Sequence, residues 1–186
     1  MNLRDRQRAD TRQRIQRQAL RLFADQGYDA TTVNEVADAA GVSAMTVYRN
    51  FPTKEDLVLY DDFNQQAATS IAELPSTGSL ADRIGRAVLA TLEQANTDLL
   101  LVRLQLMITT PALQARHLDS QFRLQDAFVT AICADDPTLE YAASAAASAV
   151  LGVTHIALLR WAADDGKPEL PPLFRKAFTA TFGHTP

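Results

Sequence analysis

The sequence is poor in the residues that stabilise secreted proteins and that break helices. It contains one cysteine, Cys133, among 186 residues, so no disulfide can form within the chain, and this is typical of a reducing cytosol. The N-terminus is rich in arginine and has no apolar stretch that would direct secretion. We find no run of about 18 uncharged apolar residues, and we therefore expect no membrane-spanning segment and a cytoplasmic protein.

Glycine and proline are also scarce, with 7 and 8 residues, and they fall where helical patterns stop. Leucine, alanine and polar helix formers dominate, and 47% of the chain is hydrophobic. This composition predicts an all-α fold with enough apolar surface for one compact unit or two small ones. After residue 78 we expect helices over about 80–94, 98–109, 111–133, 138–163 and 171–182, for about nine helices in total.

The usual motifs of catalysis are missing as well. The three histidines are scattered at His117, His155 and His184, without acidic residues at the spacing of a metal site. The sequence has no glycine-rich phosphate loop, no nucleophile elbow and no C-x-x-C motif. We therefore expect no enzymatic activity, no metal and no cofactor.

The charge is distributed unevenly. The net charge is −4, yet residues 1–60 hold nine lysines and arginines against eight acids, and residues 1–22 alone hold seven arginines against two aspartates. A basic end on an acidic body is expected when only one part of a protein meets phosphates. The arginines could instead form the solvated face of a helix.

The stretch after Gly27 has the pattern of a helix-turn-helix. Two short helical patterns at residues 33–40 and 44–50 are joined by a turn containing Gly41. Thr32 and Glu35 form a capping box that marks the start of the first helix. The second helix of such a pair enters the DNA major groove, so the stretch predicts a DNA-binding protein.

The second helix has several side chains that the small core does not need. Arg49 is the strongest candidate for base readout, because its guanidinium can bond guanine O6 and N7 together. Met45 and Ala44 can contact a thymine methyl group, and nearby polar residues suit phosphate oxygens. Any of these residues could also be merely exposed. The candidate DNA-binding residues are Thr32, Ser43, Ala44, Met45, Thr46, Tyr48, Arg49, Asn50 and Lys54.

The stretch from Gly27 to Glu55 resembles the N-terminal domain of the tetracycline-repressor (TetR) family of transcription factors. The sequence departs from the family at Asn50, where histidine is common. The matching residues are Gly27-Tyr28, Thr31-Thr32, Glu35-Val36-Ala37, Ala40-Gly41-Val42-Ser43, Thr46-Val47-Tyr48, Phe51 and Lys54-Glu55.

The resemblance implies two domains and a homodimer. We expect a three-helix DNA-binding domain at residues 1–55, whose first ten residues form a flexible arm, and a helical ligand-binding and dimerisation domain at residues 56–186. The implied protein is a nucleoid-associated repressor that binds a palindromic operator and is released by a small, largely apolar effector.

The long helix near the C-terminus has a face of small residues that would allow a second helix to approach closely. The resemblance implies that this face forms the dimer interface, although it could also be internal core. The candidate interface residues are Ala142, Ala145, Ala149, Gly152 and Ile156.

The residues that could line a ligand site could instead belong to the core, because aromatic and methionine side chains at helical spacing are usually core. Polar side chains on the apolar long helix could supply the few polar groups of a pocket. The stretch from Leu99 to Asp126 also resembles a subgroup that binds acyl-coenzyme-A-like ligands, in which Arg103 or Arg116 could meet a phosphate. The candidate ligand-binding residues are Phe63, Met107, Phe122, Gln125, Phe128, Ser148 and His155.

Two other functions remain open at this point. The chain could be a helical small-molecule or acyl-carrier binding protein whose N-terminal domain has lost operator recognition. It could also be an architectural protein that binds DNA without sequence preference. The intact Tyr48, Arg49 and Lys54 disfavour the first, and the acidic net charge disfavours the second.

Overall fold

The computed structural model describes residues 3–60, 69–71, 74, 77–134 and 136–186, and these residues contain helices and no strands. The all-α prediction is therefore confirmed for this part of the chain. We number the helices with described bounds in chain order. They are α1 Leu3–Gln26, α2 Val33–Ala40, α3 Ala44–Asn50, α4 Asp56–Leu59, α5 Leu80–Gln94, α6 Thr97–Thr109, α7 Pro111–Cys133, α8 Glu140–Ala163 and α9 Leu170–Phe182, with a 3₁₀ turn at Pro137–Leu139.

Two helices differ from the sequence expectation. Helix α1 begins at Leu3, so the residues expected to form a flexible arm are helical from that point. They are mostly arginine, glutamine and alanine, which extend a helix readily without burying any surface. The sequence also predicts a helix that opens at Thr53 and continues through Ile71. In the structure α4 begins at Asp56 and ends at Leu59, and residues 61–68 lie outside the described residues.

The described residues form two compact units. The first consists of the residues up to Tyr60 together with Asp98–His117, and the second of the described residues between Asp61 and Thr97 together with Leu118–Pro186. The predicted division between residues 55 and 56 stays a prediction.

The first unit surrounds a small core to which α1 contributes Ile15, Ala19 and Phe23, each at most 2% exposed. Because α4 has only four residues, it could not persist in isolation and depends on contacts with other elements. Gln16 Nε2 on α1 donates to the Tyr60 carbonyl at 2.6 Å, and Arg12 on α1 donates to the Tyr60 hydroxyl. Helix α1 thereby fixes the C-terminal end of α4.

The second unit is built around α8, with α5 and α9 packed beside it. One face of α8 is buried through Ala143, Ala147 and Val150, all at 0% exposure. Phe174 and Phe178 of α9 are also fully buried, with ring centroids 5.9 Å apart. The buried face of α8 thus contributes small residues to the core of this unit, and α9 contributes large aromatic ones.

One helix is long and apolar enough to cross a membrane by length and composition. It spans Pro137–Ala163, with a mean hydropathy of 1.7, and 39% of its most apolar window is buried. By this measure the expectation that no such segment exists is wrong. A helix of this composition also occurs in the core of soluble proteins, where it buries at least one of its faces.

The contact between α5 and α9 leaves no room for a side chain at Gly85. A Cβ there would lie 2.6 Å from Cε2 of Phe178 and 2.7 Å from Cβ of Pro186. We predict that Gly85→Ala lowers the free energy of unfolding by about 1–3 kcal/mol, because overpacking outweighs the helix propensity that alanine adds. Urea unfolding measures the change. In a Phe178→Leu background the same substitution should destabilise less, and an equal loss in both backgrounds would mean that Phe178 is not the obstacle.

Candidate nucleic-acid interface

Helix α2 is held at its start by the capping box that the sequence predicts. The Thr32 backbone N–H donates to Glu35 Oε2 at 2.7 Å, and the Glu35 N–H donates to Thr32 Oγ1 at 3.2 Å. The hydrogen bond from the Thr32 backbone lowers the pKa of Glu35. The carboxylate therefore remains ionised as a cap, and the direction in which the helix begins is well defined.

The turn between α2 and α3 depends on a left-handed residue. Gly41 has φ 63° and ψ 41°, a conformation that glycine adopts without a steric penalty. Its N–H donates to the Asp38 carbonyl at 3.1 Å, and the Val42 N–H donates to the Ala37 carbonyl at 3.0 Å. These bonds end α2 sharply, so that only three residues separate it from α3.

Helix α3 has one buried side and one side open to solvent. Val47 is 1% exposed and anchors the helix, whereas Met45 is 71% and Tyr48 is 49% exposed. Arg49 is also exposed, and Ala44 is partly exposed. Residues 45 and 49 lie one turn apart, so Met45 and Arg49 share the outward face.

The polar residues of α3 are largely engaged with their own backbone and with each other. Ser43 Oγ accepts from the Thr46 N–H at 3.2 Å and lies 2.9 Å from Thr46 Oγ1. Asn50 Nδ2 donates to the Thr46 carbonyl at 2.8 Å. In contrast, Tyr48 and Arg49 make no side-chain hydrogen bond or ion pair within the described part of the chain. Their polar groups are available to another molecule.

Lys54 lies directly beyond α3, above an aromatic residue. Its Nζ is 4.4 Å from the ring centroid of Tyr28 and 3.5 Å from the Asp29 carbonyl oxygen, to which it donates. Burial, followed by the nearby Glu55 carboxylate, raises the pKa of Tyr28, so its phenol stays protonated at neutral pH. The ring can thus hold the ammonium through a cation–π contact.

The structure places Arg103 and Arg116 against protein groups. Arg103 Nε donates to the Val58 carbonyl of α4 at 2.9 Å. Arg116 Nη1 donates to Thr53 Oγ1 at 2.6 Å, and its guanidinium also contacts the carboxylates of Glu55 and Asp56. Sequence reasoning considered a ligand phosphate for these arginines and missed these partners, which lie at least 45 residues away along the chain.

The candidate ligand-binding residues are only partly brought together. Gln125 Oε1 accepts a hydrogen bond from Ser148 Oγ at 2.8 Å, and Phe128 is fully buried nearby in sequence on α7. Phe122 is 63% exposed, and burial lowers the pKa of His155. Met107 belongs to the first compact unit, and Phe63 lies outside the described residues.

An open cleft in the second unit is lined by different residues. Its volume is about 360 Å³, and its walls include Leu92, Trp161, Lys167 and Leu170. Trp161 Nε1 donates to the carbonyl of Pro168, another lining residue, at 2.8 Å. None of the candidate ligand-binding residues lines it.

The candidate dimer residues share one exposed face of α8. Ile156 is 62% exposed, and a Cβ added at Gly152 would meet no heavy atom within 4 Å. Tyr141, which the sequence did not single out, is 89% exposed at the start of the same helix. The face consists of Ala142, Ala145, Ala149, Gly152 and Ile156, all exposed in the single chain.

The geometry of residues 32–54 defines a class of protein. A capped helix, a tight left-handed turn and a second helix with an unpaired outward arginine form a helix-turn-helix, which is a DNA-binding element. Residues 15–60 match the family described as bacterial regulatory proteins, tetR family, and residues 79–183 match the MftR C-terminal domain. The chain belongs to the tetR family of transcriptional regulators, which bind DNA and are not enzymes.

Several characterised relatives are similar over part of the chain. The transcriptional regulator TcmR of Streptomyces glaucescens is 30% identical over 126 residues, which cover 62% of this chain and 56% of TcmR. The transcriptional repressor AcnR of Corynebacterium glutamicum is 31% identical over 121 residues, which cover 63% of this chain and 62% of AcnR. The chain thus spans about three fifths of the length of these two relatives.

Solved structures support the same fold. A tetR-family regulator from Syntrophomonas wolfei has a TM-score of 0.68 at 19% identity, with 93% of each chain covered. FadR of Thermus thermophilus, a tetR-family repressor solved in complex with lauroyl-CoA, has a TM-score of 0.58 at 24% identity and covers 91% of this chain and 92% of its own. At these identities the likeness concerns the fold alone.

The cap of α3 can be tested separately from DNA binding. We predict that Ser43→Ala lowers the free energy of unfolding by about 1 kcal/mol, because the Thr46 N–H loses its side-chain acceptor. Ser43→Asn is the matched control, since asparagine caps as well as serine. Urea denaturation followed by circular dichroism measures both variants, and equal stability of the alanine variant and the wild type would show that this cap contributes nothing.

Proposed function

We propose that the protein is a homodimeric repressor that binds a palindromic operator and releases it when a small apolar effector binds. The observation that carries this proposal is the outward face of α3. Met45, Tyr48 and Arg49 are exposed there without partners in the described structure, while Val47 anchors the opposite side. On the second helix of a helix-turn-helix, side chains exposed in this way are suited to contact base edges and phosphates.

Within this proposal the face divides into base-reading and phosphate-binding residues. The Arg49 guanidinium reads a guanine in the major groove, and Met45 with Ala44 contacts apolar base edges. Thr32, Ser43, Thr46, Tyr48, Asn50 and Lys54 position the helix on the phosphates. The surplus of arginine in residues 1–22 adds attraction that does not depend on base sequence.

Two copies of the chain are needed for a specific operator. A seven-residue helix can read only a few base pairs, whereas two half-sites one helical turn apart give much higher specificity. The exposed small-residue face of α8 supports this assembly, because Gly152 has open space above it that a second helix can fill. We therefore propose that α8 packs against α8 of a second copy in the cytoplasm, where the dimer meets the nucleoid.

The effector site is proposed in the second unit. The Gln125–Ser148 pair and the half-buried His155 supply polar groups in the second unit, in which the Phe128 side chain is fully buried. The fold is shared with a repressor solved with lauroyl-CoA, which makes an acyl-CoA-like compound a reasonable class to test. We propose Phe122, Gln125, Phe128, Ser148 and His155 of the second unit as its contacts.

Selection of bound duplexes from a random DNA pool tests the proposal. A repressor should enrich a palindrome, a protein that has lost recognition should enrich nothing, and an architectural protein should retain duplexes without sequence preference. With the enriched duplex, Arg49→Ala should lose about 1–3 kcal/mol of discrimination at one base pair in each half-site. Competition binding with single-base variants of the duplex measures this loss.

The control for this substitution is Arg123→Ala, which removes an equally exposed arginine from α7 in the second unit. It should leave both affinity and discrimination unchanged. If Arg49→Ala weakens binding to every duplex equally, Arg49 contacts a phosphate and reads no base.

The dimer is tested by filling the space above Gly152. We predict that Gly152→Leu leaves the single chain folded, because nothing lies within 4 Å of the added Cβ. In the dimer the side chain would separate the two helices and raise the dissociation constant about tenfold or more. Analytical ultracentrifugation measures the constant, with Ala9→Leu on exposed α1 as control. An unchanged constant would place the interface elsewhere.

A further inference from the structure

Arg116 reaches from the start of α7 to the turn that precedes α4. Its Nη1 lies 2.6 Å from Thr53 Oγ1 and 3.4 Å from Glu55 Oε2, and its Nη2 lies 3.3 Å from Asp56 Oδ1. One guanidinium thus contacts three of the four residues from Thr53 to Asp56. The fourth residue, Lys54, is a proposed phosphate contact.

The same turn is ordered by its own capping hydrogen bonds. The Thr53 N–H donates to Asp56 Oδ2 at 2.9 Å, and the Asp56 N–H donates to Thr53 Oγ1 at 3.3 Å. Arg116 therefore binds both side chains of the cap as well as the adjacent Glu55. Arg116 thus contacts the residue before Lys54 and the two residues after it, and these contacts hold the backbone of Lys54 between them.

Charge gives a reason for this arrangement. Glu55 and Asp56 place two carboxylates beside Lys54, and their side chains are 27% and 23% exposed. Near DNA these carboxylates would repel the phosphates that Lys54 attracts. The guanidinium, which contacts both carboxylates, offsets this repulsion.

We propose that Arg116 is a positioning residue for DNA binding, which holds the Lys54 turn and neutralises Glu55 and Asp56 without touching DNA itself. This inference rests on the proposed function. It assigns a role in DNA binding to a residue that lies outside the matched DNA-binding segment at residues 15–60.

A purely structural role predicts a different result. The Arg116 side chain is 39% exposed, and ion pairs of this kind contribute little to folding stability. If the pair served the fold, its loss would lower the unfolding midpoint and leave the affinity of the folded protein unchanged. Affinity and its salt dependence therefore separate the two roles.

The experiment uses the full chain and the duplex enriched from the random pool. Arg116→Ala should bind that duplex about three- to tenfold more weakly at low salt, because two carboxylates are left uncompensated. The slope of log affinity against log salt should become less steep by clearly less than one, because salt screens the repulsion and no phosphate contact is lost. Arg116→Lys keeps the charge and should retain most of the affinity.

Rescue tests the mechanism directly. Glu55→Gln combined with Arg116→Ala should bind more tightly than Arg116→Ala alone, because one of the repelling carboxylates is removed. Arg175→Ala is the matched control, since it removes an arginine of similar exposure (42%) that pairs with Glu93 in the second unit. It should leave the affinity unchanged. If Arg116→Ala does not fold, Arg116→Gln replaces it in both comparisons.

Three outcomes would overturn the inference while the proposed function stands. The first is a wild-type affinity for Arg116→Ala. The second is a salt slope reduced by about one, which would indicate a direct phosphate contact. The third is a loss of affinity for Arg116→Ala that is just as large in the Glu55→Gln background. Failure of the wild type to enrich any duplex would instead contradict the proposed function itself.

Discussion

The left-handed turn at Gly41 is the constraint on which the DNA-binding unit depends. Because Gly41 has φ 63°, α2 can end with two hydrogen bonds and α3 can begin at residue 44. The short turn fixes which side of α3 is buried, and that side carries Val47. Met45 and Arg49 must then face outward. The chemistry available to DNA is thus a consequence of one backbone conformation, supported by the caps at Thr32 and Ser43.

The segment after α3 is organised by distant parts of the chain. Helix α4 has four residues and takes its position from Gln16 at its end and from Arg103 at the Val58 carbonyl. Arg116 fastens the turn before it. Long arginine and glutamine side chains here replace the extended packing that such a short helix cannot supply. Any change that moves α6 or the start of α7 within this unit would act on the same turn.

Helix α8 has one buried face and one exposed face. The face with Ala143 and Ala147 is buried within the second unit, and the face with Gly152 and Ile156 is exposed. Its overall hydropathy therefore resembles that of a membrane span, although only one side enters the core of the single chain. A second copy covering the exposed side would account for the apolar composition, since small residues allow close approach of helices.

Much of this structure could be predicted because the determining interactions are local. The capping box of α2, the glycine turn and the bounds of α7 at Pro111–Cys133 arise between residues at most five positions apart, and the sequence alone identifies them. The amide of Asn50, which turns back to Thr46, and the helical start at Leu3 show no such pattern. The partners of Arg116 lie 60 to 63 residues away, so only the folded chain brings them together. Local hydrogen bonds and periodicity can be read from neighbouring residues, whereas contacts between distant segments depend on how the helices pack.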